Sequence, residues 1–443
     1  MSPLALVFQH GVGGAQDLPL PLSYALAGAG AALAVSFVVL VLAWREPRFD
    51  AATQGRPLPA GLARAFDGGA ASVALRALGL AFTAYVAWAA LAGPDTLVNP
   101  TFGVFYVLLW VGIVPASLLF GPFYRAINPL RTLHLLLSRA TGGDPATGMF
   151  TLPRWVGLWP ASLGLLAFVW LELVFPESNY LWSVRLWVAV YAAVVLVGAA
   201  LFGDRWIAAA DPFEVFSTLV GHLSVFGRIA DGTLVVRNPL RNLDGVPPSP
   251  GLLAVTGVLV GSTAFDSFKD SVAWLRFSAD LGTDPVLLNT VALLLFCVVV
   301  GGLVALATLW APAVPGVERR SLPNRFAHSL IPIVVGYFVA HYLSYFVEIG
   351  QQTVILLSDP LGTGANLLGT GDLQVNYWLS NNQDFLAVLK VLAIVVGHVL
   401  GVIAAHDRAM KLLPRVHQLT GQLPLLFVMV FYTVSGLYLL LTV

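Results

Sequence analysis

Cysteine and lysine are nearly missing from this chain of 443 residues: Cys297 is the only cysteine, and Lys269, Lys390 and Lys411 are the only lysines. One thiol can neither close an intrachain disulfide nor build a cysteine metal site. Charged residues make up 10% of the chain, against about 25% in a soluble domain. The four methionines form no cluster that would hold soft copper. Net charge is zero, which argues against a nucleic-acid partner. The glycine-rich strings at 11 and 362 are followed by no GKS or GKT, so neither is a phosphate loop. HExxH, GxSxG and HxH are also missing. The start, MSPLALVFQHGVGGAQDLPLP, lacks a basic region and a long enough apolar run for a cleavable signal.

What is present is apolar: 58% hydrophobic residues and a mean hydropathy of +0.83. That predicts an all-α, polytopic membrane helix bundle. A hydrocarbon core of about 30 Å needs about 20 apolar residues per helix. Ten such segments are expected, near 22–44, 72–92, 102–121, 155–175, 181–203, 251–268, 286–310, 327–349, 384–405 and 422–442. Arginine and lysine concentrate in the loops after the first, third, fifth, seventh and ninth segments, from Arg45 to Arg415. Positive-inside logic then places both termini on the extracytoplasmic side. The preference for Arg over Lys points to a GC-rich, bacterial genome, and so to the inner membrane.

Two loops share a pattern. FGPFYRAINPLRTLHLLLSRATG starts at Phe120 and FGDRWIAAADPFEVFSTLVGHLSVFGR at Phe202. Asn128 and Asp211 suit helix N-caps, with Pro129 and Pro212 in the first helical position. Each leads into an amphipathic helix expected on the cytoplasmic surface, with His134 and His222 as solvated interface residues. The two hairpins upstream then read as a parallel duplication, as in some transporter folds. The turn-rich stretch 229–250 reads as a linker between an N-terminal half, 1–228, and a C-terminal half, 251–443.

The eighth segment carries Tyr337, His341, Tyr345, Glu348 and Gln352 at helical spacing. At about 100° per residue these share one face. Ionisable groups at membrane depth usually face a bundle interior or a wet cavity. A rise of about 1.5 Å per residue puts Asp266, His341 and Lys390 at one level, in the outer half. Ser262, Asp266 and Asp270 share a face of the sixth segment, beside Lys269. The expectation is a pocket with Asp266, His341 and Glu348 as ligands for a divalent metal such as zinc. Lys390 and Tyr337 would supply catalytic groups. The same set suits a proton relay, because histidine titrates near neutral pH. His398, His406 and Asp407 extend a polar path inward from there, although His406–Asp407–Arg408 also reads as a charged helix end. A structural Asp266–Lys390 pair is the plainer alternative. Haem is disfavoured: His328 and His341 are 13 apart in sequence and diverge by about 140°.

The strings AHYLSYF (340–346), LLSDPLGTG (356–364), IVVGHVLGVIAAHDRAM (394–410) and HGVGGAQDLPLP (10–21) resemble a family of actinobacterial multi-pass membrane proteins known as fenitrothion hydrolases. The resemblance runs through most of the chain. It implies an organophosphate triester hydrolase acting on a small apolar substrate from the lipid. It draws attention to His10, His341, His398, His406 and Asp407. Phosphotriester hydrolysis needs an activated water and an electrophile on the phosphoryl oxygen, which a bound metal supplies. A proton- or ion-coupled transporter, or a structural subunit of a membrane complex, fits the same residues.

Overall fold

A computed structural model describes residues 14–442, so His10 lies outside the described residues. Among the described residues the chain is mostly helical, with three short strands. In chain order the helices that matter are α1 (Leu22–Ala43), α2 (Gly69–Ala92), a bent α3 (Pro100–Leu109 and Ile113–Phe120), α4 (Phe123–Ile127) and α5 (Pro129–Ala140). Then come α6 (Trp159–Leu173), α7 (Leu181–Phe202), α8 (Asp204–Ala210), α9 (Pro212–Gly221) and α10 (Leu252–Lys269). α11 (Pro285–Leu309), α12 (Ile331–Leu356), α13 (Gln383–Leu412) and α14 (Leu423–Thr442) complete the chain.

Among the described residues, eight helices are long and apolar enough to cross a membrane, and the bent α3 makes a ninth. Each answers to a segment expected from the sequence. The remaining one, α6, is apolar but has only 15 residues, roughly 22 Å of helix. The 46° bend in α3 has two local causes. Gly103–Leu109 is a π-helical stretch, and Pro115 in the next turn has no N–H for the carbonyl of Val111. The chain is a multi-pass membrane protein.

Two compact units make up the chain, and they do not follow the two sequence halves. Among the described residues the first unit comprises 14–51, 243–344 and 377–442, and the second 52–242 and 345–376. The division falls inside α12, after Ser344. In the first unit α1 packs on α13 and α14, a pairing that hydropathy cannot show. α10 is mostly buried there, 78% of its apolar window. It crosses α11 closely through Gly257 and Gly261: a methyl on Gly261 would lie 2.6 Å from the Cα of Cys297. Small residues of this spacing let membrane helices approach backbone to backbone.

In the second unit both repeats adopt one local path. Each long helix ends at a glycine with positive φ, Gly121 at 79° and Gly203 at 69°. A short helix follows, then an Asx N-cap: the Asn128 side chain accepts from Leu130 and Arg131 N–H, and Asp211 from Phe213 and Glu214 N–H. The surface assignment of the following helices needs correcting. In α9 nearly every residue is buried, and in α5 Leu130, Arg131, Thr132 and His134 are buried while Leu136 and Leu137 are exposed. His134 is no solvated side chain, since its Nε2 lies 3.1 Å from the Pro145 carbonyl. Stretch 229–250 is not a bare linker either. β2 (Phe226–Arg228) and β3 (Leu234–Val236) form an antiparallel hairpin, and β1 (Arg56–Pro57) pairs with the other edge of β3.

Candidate functional site

Asp266 and His341 meet in the first unit. The buried carboxylate, on the last turn of α10, accepts from His341 Nε2 at 2.8 Å. Tyr342, next along α12, donates its hydroxyl to the same oxygen at 3.1 Å. Lys269, one turn on from Asp266, brings its ammonium to 3.4 Å from the other oxygen. On the far side of the imidazole, Ser267 Oγ lies 3.4 Å from Nδ1 and 3.4 Å from the carbonyl of Thr263. A carboxylate at Nε2 means that nitrogen carries the ring proton. In that tautomer Nδ1 is an acceptor facing Ser267. The result is a line of exchangeable protons from Asp266 through His341 to Ser267. Burial leaves few alternatives to these partners, because an unpaired polar group in apolar surroundings costs about 1–3 kcal/mol.

Tyr342 and Ser267 were not singled out in the sequence. The stripe on α12 passes through His341 but not its neighbour, and Ser267 follows Asp266 directly. Residues adjacent to a flagged pair were the available signal.

The remaining expected site residues are spread more widely. Tyr337 is buried, donates to the Tyr432 carbonyl at 3.3 Å and packs its ring 6.2 Å from that of His398. His398 is fully buried: its Nδ1 donates to the Ile394 carbonyl at 2.9 Å, and its Nε2 has no hydrogen-bond partner among the described residues. Lys390 is buried on α13 and feels the carboxylate charge of Asp17. Asp270 is exposed at the end of α10. Glu348 and Gln352 lie on the part of α12 that belongs to the second unit, Glu348 buried and Gln352 half-buried.

His406 and Asp407 anchor the chain that follows α1. The two nitrogens of His406 face the Trp44 carbonyl and the Gln422 amide oxygen, each at 2.9 Å. Asp407 accepts from Arg48 N–H at 2.6 Å and Trp44 Nε1 at 3.1 Å. Lys411 ties Asp244 (2.7 Å) and the Phe49 carbonyl (2.6 Å) to the same corner. This is the helix-end role.

Against family profiles, curated proteins and solved structures, the chain matches none. Its chemistry has to be read from its own side chains. Among the described residues no group of three or more His, Cys, Asp or Glu side chains is placed to hold a metal ion. Asp266 and His341 supply two donors, whereas a catalytic zinc site usually takes three from the protein.

The second unit holds a buried polar network of its own. Arg131 pairs with Glu214 through Nη2 (2.6 Å) and Nε (3.0 Å), and with Asp204 at 3.2 Å. The Asn128 amide donates to Asp211 at 2.8 Å and to Glu214 at 2.9 Å. Thus the two repeat N-caps bind each other. Burial, then the charge of Glu214, raises the Asp211 carboxyl to about 6.

Proposed function

We propose that this chain is a proton-coupled transporter of the bacterial inner membrane, with Asp266 and His341 as the proton-binding pair and both termini outside. The buried 2.8 Å contact between them, among the exchangeable protons of Tyr342, Lys269 and Ser267, carries the reading. Intramembrane ionisable pairs mark proton and ion paths more often than they stabilise a bundle. Tyr342 and Lys269 hold the Asp266 carboxylate, so a proton arriving on it changes the bonding of both. The parallel paths at Gly121 and Gly203 fit the internal repeats of transporter folds. Orientation follows from the arginine-bearing loops. The test is a pH-sensitive dye trapped in proteoliposomes under an imposed potassium gradient with valinomycin, with and without lipophilic cations such as tetraphenylphosphonium. Wild-type protein is expected to move protons, and Asp266→Asn to abolish the signal. No wild-type signal across that panel would sink the transport reading.

A second reading rests on Ser267 Oγ and His341 Nδ1, 3.4 Å apart, together with the resemblance to fenitrothion hydrolases. In it His341 is a general base oriented by Asp266. Water attacks phosphorus, its proton passes to the imidazole, the P–O(aryl) bond breaks, and the proton leaves with the aryl oxide. Among the described residues the donors do not complete a metal site. Turnover of an aryl phosphotriester that survives His341→Gln would remove this reading.

A further inference from the structure

The second unit contains an apolar cavity of about 560 Å³ between α2, α3 and α7. Its walls include Val86 and Ala90 of α2, Val104 and Leu108 of α3, and Val188 and Ala192 of α7. That volume is within the usual range of ligand pockets, about 300–1,000 Å³. α2 is only 6% buried over its apolar window, so the helix that forms this wall faces the lipid with most of its surface.

One end of the cavity is polar. Arg185 lines it, half-buried, and its Nε donates to the Ala90 carbonyl at 2.6 Å. Among the described residues the guanidinium has no carboxylate partner, and its two terminal nitrogens make no hydrogen bond. Thr101 lines the same cavity at 4% exposure, and its Oγ1 has no hydrogen-bond partner among the described residues. The two belong to the same end, since Asn99, two residues before Thr101, holds the Ala89 carbonyl at 2.9 Å. An arginine and a buried hydroxyl with unused hydrogen-bonding capacity at one end of an apolar slot call for an anionic oxygen with an alkyl chain behind it. Water would satisfy the polar end but not fill the slot, and an apolar ligand the reverse.

We propose that this cavity binds an anionic amphiphile, its head on Arg185 and Thr101 and its chain between α2, α3 and α7. In the orientation proposed above, the head lies in the outer leaflet. This site is separate from the Asp266–His341 pair and does not depend on how that pair is used.

The test is native mass spectrometry of the delipidated full chain titrated with phosphatidylglycerol, with phosphatidylcholine of the same acyl chains, and with oleate. Wild-type protein is expected to retain the anionic lipid or oleate about tenfold over phosphatidylcholine, the size of one charge-assisted hydrogen bond. Whichever of the two depends on Arg185 identifies the ligand as a phospholipid or a free acid. Arg185→Gln should erase the preference, Arg185→Lys should keep part of it, and Ala192→Trp should lower retention of every chain. Equal retention of anionic and zwitterionic lipid by wild type overturns the proposal. So does a preference that Arg185→Gln leaves intact while that variant stays folded.

Discussion

Each unit buries a cluster of ionisable side chains, and the clusters are built on opposite plans. In the second unit Arg131, a permanent cation, is held by Glu214 and Asp204, and the Asn128 amide donates to Asp211 and Glu214. The Arg131–Glu214 contact is bidentate, which is how a fold locks two segments together. In the first unit a carboxylate faces an imidazole and an ammonium, with the hydroxyls of Tyr342 and Ser267 beside them. Every member of that set can gain, lose or re-aim a proton. The second cluster holds a structure, and the first holds a proton.

The sharpest way to break this contrast is to remove one partner from each. Glu214→Ala leaves the guanidinium of Arg131 buried with Asp204 alone, and should cost about 3–5 kcal/mol. Thermal unfolding in detergent reads that loss directly. Asp266→Asn keeps the shape and an acceptor for His341 Nε2, so it should cost less, about 1–2 kcal/mol. It should nevertheless abolish proton movement. If Asp266→Asn destabilises as much as Glu214→Ala and leaves proton movement unchanged, the first cluster is structural too.

Much of this architecture was legible in the sequence, because apolar length and the Asn-Pro and Asp-Pro caps are local signals. Ten segments were expected, and ten helices occupy those positions. The shared depth of Asp266 and His341 followed from counting residues along two helices, and the structure joins them. Partner choice was not legible. That α1 packs with α13 and α14, or that α9 is buried, depends on which faces meet, and an all-round apolar helix does not reveal that. Tyr342 was missed because a one-face stripe on α12 assumes one neighbour, whereas its two consecutive residues His341 and Tyr342 both reach Asp266. Lys390 was expected at the level of Asp266 and His341, whereas the N-terminal stretch at Asp17, outside the helix count, supplies a charge that acts on it.

A smaller effect separates the clusters by pH. Asp211 is raised to about 6, mainly by burial, so the folded chain binds that proton more tightly than the unfolded chain. Its contribution to stability is therefore fully present below the ordinary carboxylate range and is lost as pH rises through about 6. Melting temperatures should fall over that window. Asn128→Ala removes a bond to the ionised carboxylate, and should deepen the fall by weakening the charged form further. A flat profile over that window would mean that Asp211 stays ionised throughout.

The smallest expected change is the most telling about the first cluster. Tyr342→Phe removes one hydroxyl from Asp266 Oδ2 and leaves the ring's edge-on contact with His341, 4.6 Å between centroids. One hydrogen bond of this kind is worth about 0.5–1.5 kcal/mol, so the protein should fold and melt close to wild type. Without that hydroxyl the Asp266 carboxylate keeps His341 and Lys269, and proton movement in proteoliposomes should slow by up to about tenfold, the size of one hydrogen bond. Complete loss of proton movement would make Tyr342 part of the path itself. An unchanged rate would mean that the Asp266 carboxylate does not set it, and the distinction between the two clusters would have to be drawn at His341 instead.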